Sequence, residues 1–500
     1  MSDCDSSYYA EIGGDFKGIL GNISGGTVTQ YIITQNSGEE IRSRSLIPGS
    51  PYKGLVKFEA GDRDKFFGRD RWIDELADYL GKENVLLLLG ASGSGKSSLV
   101  QAGIIPKLKD RWGSNQLVSF TFEPDVNPFE SFYGCLLTNK YSQLAAKLAQ
   151  TVKEDTLIQV VKSLKQNARW IIFIDQFEEL FTRTPKTERD VLIKSLLQLI
   201  RKSDASVKII LTMRADFLDK LSPHPNFVKT IYKPHNHLLT EMDDIELRLA
   251  IAEPTARNGV VFEDRLIDQI IADFHRQAGS LPLLQYTLNE LWKKENIQGR
   301  VLNIKTYQEL GGVTGALQKQ ADKIYDQFNE QQRKAAVQIF IGLIDLEGKE
   351  AVSRRADKAI FEQDEVQQDV LSQLINNRLL VSKGSNQEAT VEVAHEELLR
   401  SWEVIRDLIR ENEEIIILGN RLSADAKQWD ELRKKNPQKA PSELWNGSKL
   451  ARTMELREKK SLPNLEAIAI EFIEASEAQA ERQRNEQIRV VMNSNVKAVK

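Results

Sequence analysis

The 500-residue chain has only two cysteines, Cys4 and Cys135, far apart and without ligand-like spacing. That argues against a disulfide framework or a zinc site and points to a reducing compartment. Long apolar runs are also missing. The longest, Val85 to Leu89 and Ile171 to Ile174, are far shorter than a membrane span. The acidic N-terminus has no basic stretch leading into an apolar core, so no signal peptide is expected and the expected location is cytoplasmic. Charge of one sign is lacking: 72 acidic against 68 basic residues leave a net charge of −4. No global field draws the chain to nucleic acid or an anionic membrane. His235 and His237 stand two apart with no Cys or carboxylate cluster to complete a metal site. No Gly-x-Ser-x-Gly motif or Cys/His dyad supports other hydrolase chemistry.

What is present divides the chain into five segments. Residues 1–48 are a Gly-rich leader with no amphipathic helix. In 49–238, apolar strands alternate with helices: helix Asp70–Leu80, strand Asn84–Leu89, helix Ser97–Leu108, strand Leu117–Phe122, helices Phe129–Leu148 and Thr156–Gln166, strands Trp170–Ile174 and Val207–Leu211. Strands apolar on both faces, separated by helices, predict an α/β core with a parallel sheet and helices on both faces. A helical lid follows over 239–328. Residues 329–405 read as helices and then two short strands joined by a turn, the pattern of a winged helix. The remainder, 406–500, is a charged helical region.

Gly90-Ala91-Ser92-Gly93-Ser94-Gly95-Lys96-Ser97 matches G-x-x-x-x-G-K-[ST] without a gap, after a buried strand and at a helix start. Such a loop, with Ser98 behind it, cradles phosphates with backbone N–H groups and a helix N-terminus. Lys96 is expected to reach the β- and γ-phosphates of ATP, and Ser97 to coordinate Mg²⁺. Asp175 ends the apolar run Trp170–Ile174, where open α/β sheets place their ligands, and is the expected acid for the metal. The slot after it is Gln176, so Glu178 or Glu179, on the following helical turn, is left to orient water; each is equally explained as a first-turn glutamate. Arg214, just past a strand, is placed to sense the γ-phosphate, or else to pair with Asp216.

These motifs resemble the STAND class of P-loop NTPases, in its bacterial novel STAND branch, from about Pro51 to Ser476. The Asp175-Gln176-Phe177-Glu178-Glu179-Leu180 run is similar to that family's metal motif. Pro51-Tyr52-Lys53-Gly54-Leu55 and Phe66-Phe67-Gly68-Arg69-Asp70 resemble its lead-in segment, which implies that Arg69 lies near bound nucleotide. Gly279-Ser280-Leu281-Pro282-Leu283-Leu284 is similar to the element whose proline packs on the base, here Pro282. Ala394-His395-Glu396-Glu397-Leu398-Leu399 resembles the winged-helix histidine motif, and implies that His395 touches the β-phosphate of ADP in a closed state. The resemblance implies a slow ATPase switch that forms a homo-oligomer on activation and signals in bacterial defence or programmed cell death. A constitutive AAA-type ATPase and a nucleotide-gated transcription regulator are the alternatives. The latter would need a basic recognition helix, yet Gln363 to Asn376 has no Lys or Arg, so direct DNA binding is not expected.

After Lys17 the leader is almost uncharged up to Gln35, rich in β-branched and amide residues, and free of proline. This is the composition of a cross-β segment. It resembles the short amyloid signalling motifs that precede bacterial STAND cores, and so implies a separate effector sharing the motif.

Overall fold

The computed structural model describes residues 38–113, 117–138, 154–164, 168–202, 206–232, 237–276, 280–347, 350–362, 364–383, 389–394, 396–459, 462 and 464–498. At its centre is a five-stranded parallel sheet of β1 (Val85–Gly90), β2 (Leu117–Phe122), β3 (Arg169–Ile174), β4 (Val207–Arg214) and β5 (His237–Leu238), in the order β2-β3-β4-β1-β5. Leu and Ile runs become strands here because both faces are covered. Val85, Leu87 and Leu89 of β1 join Trp170, Ile172 and Ile174 of β3 in one core, against helices Pro128–Thr138, Thr156–Leu164 and Lys186–Lys202. The alternate residues Leu86, Leu88, Ile171 and Phe173 pack on the opposite face, against helix Asp70–Lys82 and the helix after β1. Each such fully buried side chain contributes about 1.5–3 kcal/mol.

The four predicted strands are present, and β4 runs on to Arg214. The sequence pattern does not predict β5: two residues carry no periodicity, and only their pairing with Leu88 and Leu89 makes them a strand. The helix after β1 is not uniform. Lys96–Ser98 is α-helical, Leu99–Ile104 is a π-helix, and Ile105–Trp112 is α-helical again. Pro106 accounts for it: proline has no N–H to donate four residues back and its ring crowds that carbonyl, so the preceding turn widens and Ile105 N donates to the Val100 carbonyl.

Beyond the sheet, residues from Met242 to Ile416 share one hydrophobic core, joined by Tyr52. It includes helices Asp244–Arg257, Leu266–Arg276, Leu281–Lys294, Gly312–Asp326 and Glu330–Gly342. It also includes a unit made of helix Glu365–Asn376 and an antiparallel hairpin, Leu380–Lys383 with Thr390–Val393. Helix Glu403–Lys435, kinked at Asn412 (φ −119°), and helices Gly447–Glu458 and Ala467–Ala498 surround a smaller core containing Trp429, Trp445 and Phe472. Among the described residues, no helix is long and apolar enough to cross a membrane.

Candidate functional site

Strand register assembles the site. Gly90 at the end of β1 is level with Arg214 of β4, Ile174 of β3 with Leu211 of β4, and Phe122 of β2 with Ile174. The residues just past these ends therefore meet at one sheet edge, although β4 separates the strand carrying the glycine loop from the strand carrying Asp175. The crevice at such an edge, where strand order reverses, is where open α/β sheets bind ligands.

The loop from Gly90 to Ser97 turns through Gly93 (φ 74°) and Gly95 (φ 91°), both left-handed. A side chain at either is strained by its backbone alone. A Cβ on Gly93 would also meet Pro282 Cδ at 3.6 Å and Glu397 Oε1 at 3.8 Å. Ser94 N donates to the Ala91 carbonyl at 3.3 Å, which closes the turn. Lys96 Nζ folds back on the loop and donates to the carbonyls of Gly90 (2.9 Å) and Ala91 (2.7 Å). Burial pulls its ammonium below the usual lysine range, opposed by Glu178 and Asp175. Ser98 faces elsewhere: its Oγ accepts from Phe58 N at 3.1 Å and so ties down the lead-in segment.

Asp175 is fully buried. Its Oδ1 accepts from Ser97 Oγ (2.6 Å), Thr212 Oγ1 (2.7 Å) and Gln176 N (3.2 Å). Its Oδ2 lies 3.1 Å from Lys57 Nζ, which also reaches Glu123 Oε1 at 3.3 Å. Burial alone would depress the Lys57 ammonium; Asp175 and Glu123 outweigh it and raise it. An ammonium seated between Asp175 Oδ2 and Glu123 Oε1 is a stand-in cation, so these carboxylates fit Mg²⁺.

Gln176 adopts φ 51°, a costly conformation for a residue with a Cβ. The bend lets Phe177 N donate to the Thr212 carbonyl at 2.8 Å and turns the chain back to the sheet edge. Glu178 and Glu179 then part. Glu178 Oε2 accepts from Arg214 N at 3.2 Å, and burial raises its carboxyl, with Lys96 opposing. Glu179 is buried on the other side, 3.4 Å from Arg183. Of the two, Glu178 is the one the fold sets among Lys96 and Arg214. The Arg214 guanidinium is held by Asp216 (3.1 and 2.6 Å) and lies 3.8 Å from Glu396 Oε1.

Two further segments close over the loop. Pro282 opens helix Leu281–Lys294 and sits beside Gly93, and Leu281 Cδ1 would be 3.5 Å from a Cβ on Gly95. From helix Glu396–Ser401, Glu396 Oε2 accepts from Ser92 Oγ at 2.9 Å, and burial raises the Glu397 carboxyl. His395 lies outside the described residues. Arg69 is 1% exposed, with its guanidinium on Glu246 (2.9 Å) and on the Thr240 carbonyl (2.8 Å), one residue from Leu239, whose carbonyl would lie 3.1 Å from a Cβ on Gly90.

Sequence reasoning missed Lys57, Glu123, Thr212 and Glu396. Glu123 had a usable signal, since it follows an apolar strand as Asp175 does. Thr212 had the same signal, directly after the largely apolar run Val207–Leu211, and Glu396 lies in the Ala394–Leu399 run; Lys57 carries none, because its partners are distant in the chain.

The model of the family described as Novel STAND NTPase 1 matches residues 51–437, ending short of Ser476. No curated protein matches the chain. Similar solved structures include the ORC2 protein of Aeropyrum pernix in ADPNP–ADP complexes, at 14% identity over 69% of this chain and 95% of that one, with a TM-score of 0.42. The ORC1 protein of Aeropyrum pernix in complex with DNA covers 70% and 94% at 14% identity and a TM-score of 0.37. A Walker-type ATPase of Pyrococcus abyssi covers 70% and 98% at 13% identity and a TM-score of 0.36. At TM-scores below 0.5 these likenesses carry no argument. The family match spans well over half of the chain and contains the phosphate loop, Asp175 and Arg214; the chain belongs to the Novel STAND NTPase 1 family.

Proposed function

We propose that this NTPase is an ATP-driven molecular switch. The unit of helix Glu365–Asn376 and its hairpin acts as a winged helix, and with ADP bound it closes on the phosphate site. The observation that carries the reading is the Glu396 carboxylate on Ser92 Oγ at 2.9 Å and near Arg214 at 3.8 Å. A γ-phosphate would compete for the same donors and repel the same carboxylate. ATP therefore opens the unit, as differential binding to two states requires. Lys96 and the loop amides bind the triphosphate, Ser97 and Asp175 hold Mg²⁺, and Glu178 orients the attacking water. A bound Mg²⁺ would supply charge neutralisation on the phosphates. Hydrolysis then resets the switch.

The test compares ADP with ATP in a hydrolysis-slowed chain. Glu178→Gln should slow turnover about a hundredfold while ATP stays bound. X-ray scattering should show an enlarged or assembled particle with ATP and the compact one with ADP. Identical scattering with both nucleotides would overturn the switch.

Assembly would bring the N-terminal segments together and raise their effective concentration. Residues 16–36 lie outside the described residues; we assign them a cross-β templating role toward an effector with the same motif, in bacterial defence or programmed cell death. A synthetic peptide of these residues should form fibres with a reflection at about 4.7–4.8 Å that seed fresh monomer. A peptide that stays monomeric in the presence of seeds removes this role and leaves the switch intact.

A further inference from the structure

The two oxygens of Asp175 have different surroundings. Oδ1 accepts from Ser97 Oγ (2.6 Å), Thr212 Oγ1 (2.7 Å) and Gln176 N (3.2 Å). A carboxylate oxygen offers about two lone-pair sites, so Oδ1 is saturated. A cation held directly by this carboxylate must approach Oδ2. That oxygen faces Lys57 Nζ at 3.1 Å, and the same ammonium lies 3.3 Å from Glu123 Oε1.

The Lys57 side chain is 38% exposed, but its backbone is anchored. Its neighbour Phe58 is buried and donates its N–H to Ser98 Oγ at 3.1 Å, on the phosphate-loop helix. Upstream, Lys53 pairs with Asp62 at 2.8 Å, and Tyr52 Oη donates to the Ile251 carbonyl. The lead-in backbone is thus fixed at both sides of Lys57, and the side chain spans from it to the sheet edge. Register explains why two carboxylates meet there: Phe122 is level with Ile174, so Glu123 is level with Asp175.

We propose that Lys57 is the resident counter-cation of the metal site: in the nucleotide-free chain its ammonium holds the place between Asp175 Oδ2 and Glu123 Oε1, and Mg²⁺ enters by displacing it. Two adjacent carboxylates, one fully buried, repel each other unless a cation lies between them. An ammonium on a flexible four-carbon stem meets that need and can still swing away, which a planar, forked guanidinium does less readily. The free divalent ion is thereby kept out. It enters with the triphosphate, whose negative charge accompanies it and offers the displaced ammonium a new partner. Glu123 then stands beside Asp175 as the second acid of the metal site. The inference rests on the NTPase reading of this site.

The test uses Mn²⁺ alone as the probe, on the full nucleotide-free chain, with free Mn²⁺ read by electron paramagnetic resonance. Lys57→Met should bind Mn²⁺ at least about tenfold more tightly than wild type, equivalent to removing roughly 1.4 kcal/mol of competition. Adding Glu123→Gln to that variant should reverse the gain. A folded Lys57→Met chain with wild-type Mn²⁺ affinity overturns the proposal. A second measurement needs no variant. Modification of Lys57 by an amine-reactive reagent, followed by mass spectrometry, should be slow in the empty chain and at least about tenfold faster with Mg²⁺ and a non-hydrolysable ATP analogue. Equal rates overturn the proposal even if Lys57→Met fails to fold. A wild-type chain that binds no ATP with Mg²⁺ would sink the NTPase reading instead, and the Mn²⁺ comparison would still decide the role of Lys57.

Discussion

Replacing Lys96 with alanine is expected to weaken ATP binding by roughly 100- to 1000-fold while leaving the fold intact. The ammonium now donates to the Gly90 and Ala91 carbonyls at 2.9 and 2.7 Å, partners that a bound phosphate would replace. Lys96 is the one positive side chain of the loop itself, and losing its charge-assisted contacts to phosphate costs about 3–4 kcal/mol. Its side chain is only half-buried, so the unfolding transition should stay in place. Asp175→Asn is the companion. A neutral amide cannot replace the carboxylate that faces Lys57 and Ser97, so Mg²⁺-dependent turnover should disappear while the nucleotide still binds. Titration with a fluorescent ATP analogue and a phosphate-release assay read the two effects. A folded Lys96→Ala chain with wild-type affinity would remove the phosphate-site assignment.

The second large effect is expected at Arg355, well away from the phosphate loop. Its guanidinium bridges Asp125 beyond β2 (2.8 Å) and Glu392 of the hairpin (2.9 Å), and Arg183 joins Glu392 from the sheet side at 3.3 Å. Arg355 and Glu392 are each 12% exposed and Asp125 is 41% exposed. The pairs are therefore neither fully desolvated nor freely screened. Arg355→Glu would set three carboxylates together across the closed interface. At about 3 kcal/mol, the lower part of the range for breaking a buried pair, the closed–open equilibrium moves by roughly 150-fold. The variant should be open without ATP, with a larger radius in X-ray scattering and faster proteolysis between the sheet and the hairpin. A wild-type scattering curve from nucleotide-free Arg355→Glu would show that these pairs do not hold the closed arrangement.

Local pattern carried much of the core. β1 and β3 are apolar on both faces, and the glycine loop and Asp175 follow them directly, so position along the chain already marked where ligand groups cluster. The limits appear at particular residues. Glu178 and Glu179 are adjacent and chemically alike, yet one accepts from the Arg214 N–H and the other turns to Arg183. Both stand on one helical turn, where successive side chains point roughly 100° apart, so neighbours that look alike in sequence face different partners. Arg69 is buried on Glu246, a partner 177 residues away that no local pattern marks. The π-turn at Leu99–Ile104 precedes Pro106, and a proline alone does not say whether a helix kinks, ends or widens.

By itself the sequence determined the glycine loop, the buried strand before it, the place of Asp175 at a strand end and the alternation that makes a parallel sheet, because each is a local pattern written within about twenty residues. Only the tertiary structure decided which charges meet. Strand order put β4 between β1 and β3, and register brought Glu123 and Thr212 level with Asp175. The lead-in segment delivered Lys57 from 118 residues away, and the C-terminal part of the shared core carried Glu396 onto Ser92 across 304 residues. Coulomb and hydrogen-bond energies depend on separations in space of a few ångströms, and nothing along the chain encodes those separations until the cores have packed.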